Sequence, residues 1–188
     1  MAAPAFSISE LSGQYPDIAI YAQHLDPVSA GSTTGYLVPE IAKLSGAKGS
    51  LINHSEHRLE EQDIETNVSA LRRLGMKSVV CAKDSLEVGK FARLNPDFIA
   101  IEPPELIGTG TAVSKARPEL ITESKMALEK ALGEKPATVL LCGAGIVDDI
   151  DVKRAKELGA QGILVASGVV RAADWFDKIK SLTQGFSM

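Results

Sequence analysis

His54, Glu102 and two glycine-rich turns are the groups in this 188-residue chain whose types and spacing could do chemistry. His54 follows an apolar run and precedes Ser55 and Glu56. A histidine at such a place is often a hydrogen-bonded structural residue and nothing more. At the start of a following helix, however, the partial positive charge favours a neutral imidazole that can donate to a substrate oxygen. His24 and His57 lack that combination, so His24 reads as structural and His57 as an ordinary residue of a helix start. Glu102 closes another apolar run ahead of Pro103 and Pro104. It is either a surface carboxylate at a strand terminus or a general base desolvated by a closing loop. The loop Glu105-Leu106-Ile107-Gly108-Thr109-Gly110 favours the base. Two prolines stiffen one side, and Gly108 and Gly110 permit unusual backbone angles on the other. Stiff ends around an apolar tip describe a lid that swings as a body and excludes water.

Gly143-Ala144-Gly145 and Ser167-Gly168 follow the last two apolar runs. Small residues let backbone N–H groups approach a ligand, and a helix N-terminus adds potential favourable to a phosphate. Glycine also makes tight turns for its own sake, and a lone Gly-x-Gly is a weak signal. Two such turns after consecutive final strands, with the Ser167 hydroxyl beside them, favour a phosphate site, and in (β/α) barrels that location recurs for phosphate.

The elements that must present these groups are apolar runs at Ile18–Ala22, Gly49–Asn53, Ser78–Ala82, Phe98–Glu102, Thr138–Cys142 and Gly162–Ala166. They are rich in Val, Ile and Leu without clean alternation, as parallel strands covered on both faces are. Between them, Ile64, Val68, Leu71 and Leu74 keep to one face at helical spacing. Val152, Ala155 and Leu158 repeat the pattern, as do Phe176, Ile179 and Leu182. No linker or low-complexity stretch divides the chain, so residues 1–188 are expected to form one α/β domain. Alternating βα units make either a doubly wound sheet or a barrel, and both place chemistry at the carboxyl ends of the strands.

Composition excludes several classes. Charge is balanced near neutrality, with 20 basic and 24 acidic residues and a formal charge of −4. Hydrophobic residues make up 45%, too many for a disordered chain of such low net charge. No apolar run approaches the ~20 residues that cross a bilayer, and no secretory leader is evident. Cys81 and Cys142 make no disulfide framework, which fits a reducing cytoplasm. Their separation, without clustered histidines, argues for no metal site. Mild acidity and few aromatics argue against nucleic acid. No nucleophile elbow or dinucleotide fingerprint is present.

The chain resembles triosephosphate isomerase in its short archaeal form. The likeness is carried by Ala22-Gln23-His24-Leu25-Asp26-Pro27, Asn53-His54-Ser55-Glu56, Ile101-Glu102-Pro103-Pro104-Glu105-Leu106-Ile107-Gly108-Thr109-Gly110, Leu141-Cys142-Gly143-Ala144-Gly145-Ile146 and Val165-Ala166-Ser167-Gly168-Val169. It runs from Ala2 to Gly185, and the segment from Glu102 to Gly110 is its most particular part. The resemblance implies a TIM (β/α) barrel and a glycolytic and gluconeogenic isomerase. Such an enzyme interconverts dihydroxyacetone phosphate and glyceraldehyde 3-phosphate through an enediolate, without cofactor. Glu102 then matches the base and His54 the neutral electrophile. Ile107 and Gly108 belong to the lid, and Gly143, Gly145, Ala166, Ser167 and Gly168 line the phosphate site. Thr33, Thr34 and Gly35 match a loop that in the family reaches into a neighbouring subunit.

One departure is large. Met1-Ala2-Ala3-Pro4-Ala5-Phe6 matches the tail of the family's second strand, so the first βα unit is missing and six to seven strands are expected. With it goes the family's Asn-x-Lys motif. A lost preorganised charge slows catalysis, typically by about 10²- to 10³-fold per group, so reduced activity is expected. Glu56 matches the partner of that lysine and, without it, should ionise less readily or stay wet. Open sheet edges favour a homo-oligomer. The alternative reading is a catalytically inactive phosphate-binding or assembly derivative of the same fold.

Overall fold

The structure, a computed structural model, describes residues 1–134 and 136–187. They fall into two compact units, residues 1–81 with 94–98 and residues 82–93 with 99–188.

The first unit opens with β1 (Ala2–Ala3), α1 (Ile8–Gln14), β2 (Tyr21–Ala22), α2 (Pro39–Leu44), β3 (Gly49–Ile52) and α3 (Glu61–Arg73). It then runs through β4 (Lys77–Ala82) as far as Cys81. The strands are parallel, with Ala2 beside Tyr21, Tyr21 beside Gly49 and Gly49 beside Lys77. Strand spacing at this register leaves no room for a side chain at Gly49. A Cβ there would fall on the Lys77 carbonyl and 2.8 Å from the Tyr21 ring. Every residue from Ser78 to Ala82 is buried, as a run without alternation requires. The buried stripe of α3 is Ile64, Asn67, Val68 and Leu71. Glu61 and Asp63 in its first turn, and Arg72 and Arg73 in its last, match the helix dipole. Arg72 also donates to the Asn95 carbonyl (2.8 Å), and Lys77 pairs with Asp97 (2.6 Å).

The second unit holds the tip of β4, α4 (Ser85–Ala92), β5 (Phe98–Ile101) from Ile99 onward, α5 (Val113–Ala116) and α6 (Pro118–Leu132). It continues with β6 (Val139–Cys142), α7 (Asp149–Glu157), β7 (Gly162–Ile163), α8 (Ser167–Val170) and α9 (Trp175–Ser187). Its core is Val88, Phe91, Ile99, Ile101, Leu120, Ile121, Leu128, Leu140 and Val152, all at most 4% exposed. Burying each such side chain is worth about 1.5–3 kcal/mol against leaving it in water. Asp84 caps α4 by accepting the Glu87 N–H (2.8 Å), and Asp148 with Asp151 forms a reciprocal capping box on α7.

Among the described residues, seven strands follow chain order in the sheet, and each is followed by helix. This is the strand-and-helix repeat of a (β/α) barrel, as expected from the sequence. Three local expectations are corrected. The last strand stops at Ile163 rather than Ala166, because among the described residues β7 pairs with β6 alone. Phe176 and Ile179 are 76% and 51% exposed; α9 docks through Leu182 and Gly185 instead. Periodicity marks a face but not what meets it. His54 and His57 do not start a helix, since α3 begins only at Glu61. Among the described residues no helix is long and apolar enough to cross a membrane.

Candidate active site

At the tip of β3 the backbone reverses through Asn53, whose φ is +64°. Asparagine tolerates that left-handed conformation better than most residues. Its side chain is buried and works in both directions. The amide donates to the Cys81 carbonyl (3.0 Å), and its oxygen accepts the Leu59 N–H (2.9 Å). His54 is thereby held in a turn closed by the His57 N–H on the His54 carbonyl (2.8 Å). The Glu56 N–H points at Nδ1 of His54 (3.3 Å). A nitrogen that accepts a backbone N–H carries no proton, so the neutral ring keeps its hydrogen on Nε2. Glu56 lies 82% exposed, with its carboxylate 3.6 Å from Nδ1, too long for a hydrogen bond. It stays wet, as the sequence suggested.

Two other histidines of this unit are in contact. His24 and His57 stack with centroids 3.8 Å apart, and Asp26 lies 3.4 Å from Nε2 of His24. Burial holds the His24 imidazole below its ordinary pKa, with the neighbouring His57 adding to the effect and Asp26 opposing it. The same Asp26 accepts the Leu37 N–H (2.6 Å) and so ties down the ends of the exposed loop that carries Thr34 and Gly35.

In the second unit Glu102 extends the ladder beyond β5, donating its N–H to the Ala82 carbonyl (2.8 Å). The residue is only 7% exposed. Gly143 lies against it: a Cβ at 143 would overlap the Glu102 side chain, 2.6 Å from Oε1. The Gly143 N–H is engaged by the Ile101 carbonyl (2.9 Å). The surroundings exclude water strongly enough that burial, aided by the charges of Glu102 and Asp151, pushes the Cys142 thiol up to about 12.

Past Glu102, Pro103 is buried, residues 104–106 form a 3-10 turn, and Gly108, Thr109 and Gly110 are exposed. Both glycines sit at φ +74°. Ile107 is half-buried. The loop returns to the interior at Ala112, Val113 and Ser114, each at most 1% exposed. There it meets the 143–147 turn. A Cβ at Gly145 would fall on the Thr111 carbonyl, and the Val113 N–H reaches the Ala144 carbonyl at 3.4 Å. Ala144 and Gly145 take consecutive positive φ values, +62° and +71°. Gly168 closes the set from the other side, with room for a Cβ blocked 2.5 Å from the Ile146 carbonyl. Ala166 and Ser167 are exposed at the head of α8.

Within the second unit, then, Glu102 touches Gly143, the foot of the 104–110 loop touches Gly145, and Gly168 touches the residue after Gly145. His54 belongs to the other unit. Sequence reasoning passed over three residues. Asn53 was quoted only as part of a motif, although an asparagine at a strand tip before a candidate histidine signals a left-handed turn. Lys115, just past the loop, brings its Nζ to 2.7 Å from Oδ1 of Asp151, which is 1% exposed. Asp151 was itself legible as the fourth residue of an Asp-x-x-Asp cap.

Parallel βα units in chain order, with an acid and glycine turns at their carboxyl ends, define a protein of the (β/α)-barrel class. The family profile described as triosephosphate isomerase matches residues 1–182. The chain is 50% identical over 187 residues to a triosephosphate isomerase of Cenarchaeum symbiosum, covering 100% of this chain and 82% of that protein. It is 52% identical over 157 residues to one from Archaeoglobus fulgidus, covering 84% and 69%. It is 44% identical over 180 residues to one from Methanocaldococcus jannaschii, covering 96% and 81%. The chain belongs to the triosephosphate isomerase family.

Proposed function

We propose that this protein interconverts dihydroxyacetone phosphate and glyceraldehyde 3-phosphate, with Glu102 and His54 acting on one bound triose phosphate. The carboxylate of Glu102 takes a proton from the carbon next to the carbonyl. His54, donating from Nε2, polarises the carbonyl oxygen and stabilises the enediolate that forms. Glu102 then returns the proton to the other carbon, and the hydroxyl proton moves between the two oxygens through the imidazole. These are the family's known roles. No cofactor takes part. Gly145, Ala166, Ser167 and Gly168 hold the phosphate, and Ile107 and Gly108 close over it. Gly143 serves by clearance, since its N–H is already engaged and its missing Cβ makes room for Glu102.

The observation that carries this reading is the burial of Glu102 at a strand tip, directly before a loop whose far foot rests on Gly145. A carboxylate there loses water when the loop closes. The same reading treats residues 1–188 as a single domain working in the cytoplasm as a homo-oligomer. The loop with Thr33, Thr34 and Gly35, and the exposed Tyr36 after it, would meet a second subunit. The sequence contains no Asn-x-Lys, so turnover by these 188 residues is expected to be slow. An isomerase assay on the purified chain, run beside its mass in solution, tests the proposal. Turnover above background that disappears in Glu102→Gln supports it, and background rates in both reject it.

A further inference from the structure

We propose that Lys115 and Asp151 are a positioning pair that fastens the foot of the 104–110 loop to the 143–147 turn, so that anion binding and loop closure are felt together. The proposal rests on reading that loop as a lid. Asp151 is 1% exposed and serves two segments at once. Its Oδ2 accepts the N–H groups of Val147 (3.0 Å) and Asp148 (3.4 Å), fixing the end of the turn. Its Oδ1 meets Lys115, in the helix that immediately follows the lid (2.7 Å). Two further bonds tie the same segments: Ser114 Oγ donates to the Asp151 carbonyl (3.3 Å), and Arg154 Nε donates to the Ser114 carbonyl (2.9 Å). The lysine end is half-exposed, and the Asp151 hydrogen bond and charge raise its pKa.

A buried carboxylate needs a counter-charge or enough donors. Here the donors come from the turn and the counter-charge comes from the lid's side. Without the lysine, Asp151 must draw in water or turn toward solvent. Either movement loosens the Val147 and Asp148 amides that hold the turn in shape. A spoiled turn binds phosphate less well, and the lid loses the surface on which its foot stands. Lys115 touches no substrate; its effect travels through Asp151.

The test is Lys115→Met, with Lys115→Arg as the conservative variant; both change a half-exposed side chain and leave the core intact. Amide hydrogen exchange at Val113, Val147 and Asp148 is followed with and without inorganic phosphate, and kcat and KM are measured on triose phosphate. Lys115→Met is expected to speed exchange at those three amides by about tenfold and to weaken phosphate binding similarly. KM should rise by a comparable factor while kcat falls less, and Lys115→Arg should restore most of each. Unchanged exchange and phosphate affinity in Lys115→Met would overturn the proposal. So would a uniform rise in exchange across the second unit with no change in phosphate affinity, which marks a merely structural ion pair. If the unmodified chain shows no turnover, the isomerase reading fails, while the exchange and phosphate arms still decide the coupling.

Discussion

The two candidate catalytic side chains stand in different surroundings. His54 stands in an exposed turn and is oriented by hydrogen bonds: Asn53 shapes the backbone, and the Glu56 N–H sets the tautomer. Glu102 is oriented by packing, its carboxylate pressed against a residue with no side chain, in surroundings dry enough to raise the Cys142 thiol. The difference suits the roles proposed for them. An imidazole that donates one hydrogen needs a fixed proton position and tolerates water nearby. A carboxylate that must take a proton from carbon needs to be short of water and unable to turn away.

That contrast predicts unequal sensitivity to single changes. Gly143→Ala should have the largest effect, because the added methyl and the Glu102 carboxylate claim the same space. Displacing a reacting group by about 1 Å costs on the order of 10²-fold in kcat, and overpacking costs about 1–3 kcal/mol of stability. Steady-state kinetics with a thermal melt checks both. If kcat is unchanged, packing does not orient the base. Asn53→Ala should be next. It removes two buried hydrogen bonds and forces alanine to a φ of +64°, together about 3 kcal/mol. The effect should concentrate in exchange rates around residues 54–59, with a kcat loss of about tenfold. A melt lowered as expected with kcat intact would show that His54 does not depend on its turn.

The smallest effect concerns pH and the first unit alone. The folded His24 has a pKa below its ordinary 6.5, chiefly through burial. Its contribution to stability is therefore fully present above that value and is lost as pH falls from 6.5 through the lower folded pKa. Exchange protection around the loop that Asp26 ties down should weaken as pH falls below 6.5. His24→Phe should flatten that dependence while keeping the ring stack. A dependence equally steep in the variant would assign it to other groups.

How much of this was written in the sequence differs between the same regions. The apolar runs announced their strands because parallel strands covered on both faces are apolar throughout, although Ile18 is exposed and Gly162 and Ile163 are only half-buried. Glu102, the prolines after it and the glycines of the following loop were legible because each has a local conformational reason. What was not legible depended on partners distant in the chain. Lys115 reads as a surface lysine until Asp151, thirty-six positions later, is brought to it. The exposed Phe176 and Ile179 look like a core stripe because periodicity cannot tell a covered face from an open one. His54 was expected at the start of a helix, and the structure holds it instead in a turn closed by backbone hydrogen bonds, with the helix beginning only at Glu61.

Proton transfer at carbon is the most direct test of the central claim, that Glu102 and His54 work on one substrate. Dihydroxyacetone phosphate incubated with the chain in deuterium oxide should gain a single deuterium at the carbon bearing its hydroxyl, read by proton NMR even where net turnover is slow. Glu102→Gln should abolish the exchange and His54→Gln should slow it by about 10²-fold or more. Deuterium entering at the same rate with Glu102→Gln as with the unmodified chain, or not entering at all, would contradict the account.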